Sequence, residues 1–438
     1  MKTSLAALTA VLVCCSTAQQ NTVPAAERPL GTIDTVLVIG NEKTKEYVIL
    51  NEMTLKSGMV LTPEALEFDR SRIYSLGLFT RVDLYYDSLN TVRFLLVDVR
   101  ERWYLVPFPL FGFRDGDTKR PYYGAGILHN NVGGRNQKLY AAATLGYDPS
   151  FNISFVDPLL DRTEHLYGGA SLSYSRVRNK SEAEALLTGN YDTDQFSASA
   201  TLGKRFSLYQ TASVTVGFRA VTAPDFFPGR TVSTSGRDRF IVGSLSYTYD
   251  SRDLFEYASR GVMAGLSLTQ NGFGEGSVGY TRYTADLRGY LPLPESFTLA
   301  ARWYWTAVSG GEVPVYGRSY FGYGDRVRGY YHDVVEGDNL MLTAAELRFS
   351  LLAPRTLNVS GLPLPEAFTI WRFGVSLVLF ADAGATWYRG ETVGLQTMLA
   401  GTGGGIHFLL PYGVVARIEY ARNNAHRSQW ILALRGAI

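Results

Sequence analysis

The sequence predicts an all-β transmembrane barrel of about 16 antiparallel strands, preceded by a small α+β domain. Three observations carry that prediction. After residue 13 no apolar run approaches the roughly 20 residues that a spanning helix needs. Beyond Arg102, segments of about ten residues alternate apolar with small or polar side chains up to the carboxyl end. The composition, with 44 glycines, 28 tyrosines and 23 phenylalanines, suits many strands, tight turns and aromatic belts at membrane interfaces. The 438 residues hold a small domain plus a large barrel, or about two to three soluble domains. A net charge of +2 and the lack of any basic run give no footing for a nucleic-acid partner.

The amino end reads as a secretory signal over residues 1–18. Lys2 supplies the positive start, Leu5 to Val13 the apolar segment, and Ser16-Thr17-Ala18 a small-residue cleavage pattern. Cys14 and Cys15 both lie within it, so a chain cleaved after Ala18 has no thiol chemistry. Acylation at Cys15 is the alternative, and Leu12-Val13-Cys14 fits it poorly. Residues 19–31 form a polar, Pro-bearing linker, and the chain is expected to be exported.

The next 70 or so residues read strand, helix, helix, strand, strand. Ile33–Ile39 alternates as a strand and Gly40-Asn41 turns the chain. Thr44 is expected to cap a helix carrying Val48, Ile49 and Met53. Thr62 with Pro63 at the first helical position opens a second helix, which buries Leu66, Ile73 and Leu76 and ends at Gly77. Two alternating strands, Phe79–Tyr86 and Thr91–Arg100, follow. The Gly40-Asn41 turn and the Leu76-Gly77-Leu78-Phe79…Val82 segment make residues 32–101 resemble a POTRA (polypeptide-transport-associated) domain.

Helical signals vanish after Arg102, and strand-like segments recur through 103–438. The separating clusters include Asp148-Pro149, Asn271-Gly272 and Pro411-Tyr412-Gly413. Several stations along them resemble BamA/TamA-type barrels of the outer-membrane assembly and translocation superfamily (the bacterial surface antigen family). They are Asn130–Arg135, Phe155–Pro158, Tyr249–Asp253 with Arg260-Gly261, Leu379–Gly384, and Gly403–Gly405 with Pro411–Gly413. The resemblance implies an outer-membrane barrel with the POTRA domain in the periplasm.

One stretch stands apart. Residues 309–338 make a loop far longer than a hairpin needs, and such loops are usually functional or disordered. Its heart is Val327-Arg328-Gly329-Tyr330. By the resemblance this is a lid loop that tucks back into the lumen between the eleventh and twelfth strands. Arg328 cannot give up its charge, so inside a barrel it needs a fork-shaped acceptor. Glu346 and Asp382, on the following strands, each interrupt an apolar run, where a lone carboxylate is costly unless it faces the lumen and is paired. Both match the positions at which the family holds the loop arginine. The plain alternative makes all three ordinary water-facing residues.

The first barrel strand is read as Trp103–Phe113. Pro107 and Pro109, two apart, lack N–H groups on the same side. If that side faces the last strand, the barrel closes on a weak seam. If both prolines precede the first pairing, no seam follows. The chain ends Leu434–Ile438 rather than on the aromatic residue common in such barrels.

The remaining motifs carry no chemistry. Gly274–Gly279 matches a dinucleotide-loop pattern with no helix behind it and reads as a hairpin tip. The five histidines lack metal-ligand spacing, and no cofactor pattern, nucleophile elbow or catalytic carboxylate pair stands out. The expected function is therefore non-enzymatic. The POTRA domain captures an unfolded outer-membrane or secreted client, with periplasmic chaperones as potential partners, and the barrel inserts or passes it. The alternative is a passive pore, or a two-partner secretion transporter serving one client. A single POTRA domain points to an accessory or specialised role.

Overall fold

The computed structural model describes residues 31–434 apart from 115–118, 162, 274–276, 360–369 and 412–413. The signal segment 1–18, all of the linker but Gly31, part of the Gly274–Gly279 pattern and the end beyond Leu434 lie outside the described residues. Among those residues no helix is long and apolar enough to cross a membrane.

The amino-terminal domain is a three-stranded sheet covered by two helices. β1 (Gly31–Thr32) pairs with β3 (Val60–Leu61), and β2 (Thr35–Ile39) runs parallel to β5 (Val92–Glu101), whose other edge takes β4 (Phe79–Leu89). Helix α2 (Pro63–Ser75) begins as expected, with the Thr62 hydroxyl accepting from Ala65 N at 3.2 Å, and Gly77 leaves it at a φ of 72°. Its apolar face seals Ile73 against Ile33, Leu61, Leu95 and Val97. Helix α1 (Glu46–Leu50) is shorter than expected and has Lys45, not Thr44, at its N-cap position, with no side-chain cap. The Thr44 hydroxyl is instead engaged with Tyr104 at 2.8 Å and Asn131 at 2.9 Å, both outside the sheet domain, which leaves it unavailable as a cap.

The rest of the chain forms a 16-stranded antiparallel meander. It runs β6 (Leu105–Phe113), β7 (Pro121–Val132), β8 (Gln137–Gly146), β9 (Ser150–Asp161), β10 (Leu166–Arg178), β11 (Asp192–Arg205), β12 (Gln210–Thr222), β13 (Arg237–Asp250), β14 (Gly261–Asn271), β15 (Tyr280–Leu293) and β16 (Phe297–Gly310). After the long loop come β19 (Asn339–Asn358), β20 (Ile370–Trp387), β21 (Leu399–Leu410), β22 (Val414–Asn423) and β23 (Ser428–Leu434). The loop itself carries a short hairpin, β17 (Ser319–Phe321) with β18 (Val335–Gly337).

Period-two patterning sorts the faces. Leu172 and Tyr174, Val214 to Phe218 and Trp430 to Leu434 present apolar side chains outward at alternate positions. The opposite face is stitched by hydroxyl pairs, Ser171 to Ser199, Ser173 to Ser197 and Thr201 to Thr215, at 2.7–2.9 Å. An apolar outside and a polar inside are the inverse of a soluble core. One element was not foreseen: a seven-residue helix, α3 (Glu182–Thr188), sits in the β10–β11 loop under a Ser181 cap, where helical signals were expected to be absent. It is anchored by a buried Glu184–Arg230 ion pair at 2.8 Å rather than by an apolar face, so no periodicity announces it.

The small domain lies across one mouth of the barrel. On one side Lys45 N donates to Gly134 O at 2.8 Å. Four strands further along the sheet, Arg205 grips Glu52 at 2.7 Å, and Arg72 reaches Glu52 at 2.9 Å and Leu208 O at 3.1 Å.

Candidate functional site

The long loop between β16 and β19 is folded into the barrel. Its hairpin is tied to the wall by Tyr316 to Asp238 at 2.7 Å, and by Ser181 and Tyr388 to Glu336 at 2.9 and 3.0 Å. Phe321 of the hairpin's first strand, with Val327 and Tyr330 of the loop, packs on Leu340 and Leu342 of β19. Gly329, at a φ of 101°, makes the bend that follows Arg328.

That bend aims Arg328 at three carboxylates. Its Nε and Nη2 donate to Asp382 at 2.7 and 2.6 Å, and its backbone N reaches the same carboxylate at 3.1 Å. Nη1 donates to Glu346 at 2.7 Å and to Glu419 at 3.0 Å. The guanidinium lies 3.8 Å over the Phe380 ring. Arg328 is 4% exposed, Glu346 1% and Glu419 0%, so water screens none of these charges. Arg348 pairs with the second oxygen of Glu346 at 2.7 Å and Arg417 with that of Glu419 at 3.3 Å. Three guanidinium groups thus face three carboxylates, and a buried network of this kind persists only when its members satisfy one another.

The strands position the set by simple alternation. Leu342, Ala344, Glu346 and Arg348 point inward from β19; Val378, Phe380 and Asp382 do so from β20, and Arg417, Glu419, Ala421 and Asn423 from β22. Between them β21 offers Gly401, Gly403 and Gly405 on the same face. A Cβ at Gly401 would collide with the carbonyl oxygen of Arg328, and one at Gly403 would fall 2.7 Å from the Phe380 ring. Glycine there is a requirement of close approach. Asn423 donates to Gly329 O at 2.8 Å, and Gln429, its amide oxygen turned to the loop, accepts from Tyr331 N at 2.8 Å. The lid therefore also grips the last hairpin, β22–β23.

Of the residues singled out from sequence, Val327, Arg328, Gly329, Tyr330, Glu346 and Asp382 come together. Glu419, Arg348, Arg417, His407 and Gly401 were missed. Glu419 and Arg417 carried the same signal as Glu346, charges two apart on an alternating strand. His407 was weighed only as a metal ligand, whereas its Nε2 meets Glu419 at 3.1 Å and its Nδ1 meets Tyr257 at 3.0 Å.

Pro107 and Pro109 lie within β6, paired opposite Ile127 and Ala125 of β7, and not in a linker. The bonds that flank this ladder, Asn130 N to Tyr104 O and Arg114 N to Arg120 O, are made by even-numbered β6-side residues. Odd-numbered residues of β6 therefore turn their backbone groups to the other edge. β6 and β23 are the two end strands of the sheet, and among the described residues no ladder joins them. Two N–H positions on that edge of β6 are prolines, and the Leu105 carbonyl is taken by the Trp103 indole.

A cylinder with a lipid-ready exterior, a charge-locked lumenal loop and a small domain at its mouth defines an outer-membrane β-barrel with a periplasmic POTRA domain. The Omp85 superfamily domain matches residues 131–429, and a POTRA domain described as surface antigen variable number repeat matches residues 31–102. The chain belongs to the Omp85 superfamily. It is 26% identical over 318 residues to the outer membrane protein assembly factor BamA of Nitratidesulfovibrio vulgaris, covering 68% of this chain and 37% of that protein. The chain thus spans little more than a third of that relative's length. Among solved structures it is similar to BamA of Haemophilus ducreyi lacking POTRA domains 1–3 (TM-score 0.53, 16% identity, 92% of this chain and 83% of that one). It also resembles CdiB of Acinetobacter baumannii (TM-score 0.51, 16% identity, 92% and 73%). Both likenesses concern the fold.

Proposed function

We propose that this chain receives unfolded protein clients in the periplasm and moves them into or across the outer membrane without nucleotide energy. The observation that carries this reading is the unsealed edge of β6. In lipid an unpaired row of backbone N–H and C=O groups is costly, so the edge is a template for another strand. Pro107 and Pro109 keep β23 from satisfying it fully. The free edges of the POTRA sheet, β2 and β4, offer a first landing place by strand addition. The lid loop, held by Arg328 over the lumen and bonded to the β22–β23 hairpin, stands where it can report or restrain movement of one side of the seam.

The test is depletion of the protein followed by quantitative profiling of the outer membrane and the secreted fraction. Loss of a class of barrels assigns insertion, and loss of a secreted protein assigns translocation. An unchanged profile, with conductance indifferent to removal of the POTRA domain, would leave a passive pore. A disulfide between β6 and β23 is expected to stop client passage; full activity in the locked form would remove the seam from the mechanism.

A further inference from the structure

The periplasmic turn between β13 and β14, residues 251–260, touches both the POTRA domain and the lid network. Asp253 stitches it by accepting from Leu254, Ser259 and Arg260 backbone N–H groups at 2.9–3.2 Å. On its outer side the Phe255 ring lies 5.2 Å below the guanidinium of Arg72, which stands on POTRA helix α2. On its inner side the turn enters the lumen. Tyr257 hydroxyl meets His407 Nδ1 at 3.0 Å, and Ala258 O accepts from Arg348 Nη1 at 3.1 Å. Arg348 also stacks over the Tyr257 ring at 4.3 Å. His407 and Arg348 in turn hold Glu419 and Glu346, two of the three carboxylates on Arg328. Leu254 and Ala258 are buried, the latter against Tyr290, Ala300 and Ala344, so the turn is wedged between strands rather than lying on the rim.

We infer that this turn couples the seating of the POTRA domain to the seating of the lid loop, with Tyr257 as its positioning residue. The grip of Arg72 on the rim is one that can be released. Its charge is buried beside Glu52, yet its Nε finds no hydrogen-bond acceptor, and its hold on the turn is a ring contact. When the domain leaves the rim, Phe255 loses its cover, Tyr257 and Ala258 shift, and two carboxylates around Arg328 lose the partners that fix them. Coupling of this kind acts equally in both directions: freeing the lid loosens the domain.

The test uses the full chain in lipid nanodiscs, with Cys14 and Cys15 replaced by serine and Val327→Cys as a reporter buried under the lid. The rate of maleimide labelling measures lid release. Arg72→Ala is expected to raise it about five-fold or more, and Tyr257→Phe to raise it as well. The double variant is expected to label no faster than the faster single variant, because both act through one element. Labelling unaffected by Arg72→Ala, or effects that multiply in the double variant, would overturn the coupling. Should Tyr257→Phe lose the folded barrel's heat-resistant gel mobility, Phe255→Ala replaces it, since that ring is exposed and carries no strand pairing. In reverse, Arg328→Ala is expected to slow disulfide formation between Glu52→Cys and Arg205→Cys across the rim. An unchanged rate there would contradict the reciprocity. Both readouts are blind to client handling, so they stand or fall apart from the proposed transport role.

Discussion

The POTRA domain and the lid seat are both closely packed, and they are held by opposite means. In the POTRA domain Ile73, Leu95 and Val97 exclude water, and burial of apolar surface supplies the stabilisation. In the barrel most apolar side chains face outward, and only a small cluster, Phe321, Val327 and Tyr330 on Leu340 and Leu342, lies under the lid. To that cluster the lid adds a charge-balanced network and glycines that let backbone meet backbone. A hydrophobic core tolerates exchange among side chains of similar volume. A buried ionic network does not tolerate loss of one member, because the partner charges remain.

The largest effect is therefore expected at Arg328. Arg328→Ala leaves Asp382, Glu346 and Glu419 facing only two guanidinium groups, at a cost of about 3–5 kcal/mol to the barrel. Unfolding in detergent followed by gel mobility measures it. A barrel as heat-resistant as the parent would break the contrast. The matching lesion on the other side is Leu95→Ala, expected to cost about 2–5 kcal/mol. It should lower the POTRA melting transition while the barrel keeps its folded mobility, as calorimetry with parallel gels would record. Gly401→Ala comes next: its methyl group collides with the Arg328 carbonyl, and overpacking of this order costs about 1–3 kcal/mol. Proteolysis from the outer face should then cut within residues 311–338 of an otherwise folded barrel.

The smallest effect lies at the POTRA surface. The Arg93 side chain donates to Asp34 and holds its carboxyl below the ordinary carboxylate range. A lowered folded-state value stabilises above the unfolded pKa of about 3.9 and is lost as pH falls through the folded value. Arg93→Ala should accordingly flatten the fall in the POTRA melting midpoint between about pH 5 and pH 3. An identical slope in both proteins would show that the pair contributes nothing.

Much of this was legible in the sequence because period-two patterning survives in every strand. The barrel and the strands on either side of the long loop follow from local alternation, and Glu346 and Asp382 stand out as carboxylates that interrupt apolar runs. That the loop tucks into the lumen and sets Arg328 against them is what the family resemblance implies. Glu419 carried the same local signal as Glu346, but its pairing with Arg328 was not legible, since nothing along the chain says that β22 comes to face a loop 91 residues earlier. Gly401 escaped notice because close approach is a property of the partner backbone, and glycine is common throughout. Thr44 misled because a tertiary bond to Tyr104 and Asn131 outcompetes a cap. The side of β6 on which its prolines lie needed the register, which one strand alone does not specify.

The central claim is that the charge network, and not the length or composition of the loop, keeps the lid in the lumen. Hydrogen–deuterium exchange over residues 311–338 in nanodiscs tests it most directly. The account predicts that Val327–Tyr330 is protected as strongly as β19 and β20, and that Arg328→Ala abolishes this protection while leaving the strands unchanged. Rapid exchange of Val327–Tyr330 in the parent protein, or protection that survives Arg328→Ala, would contradict it.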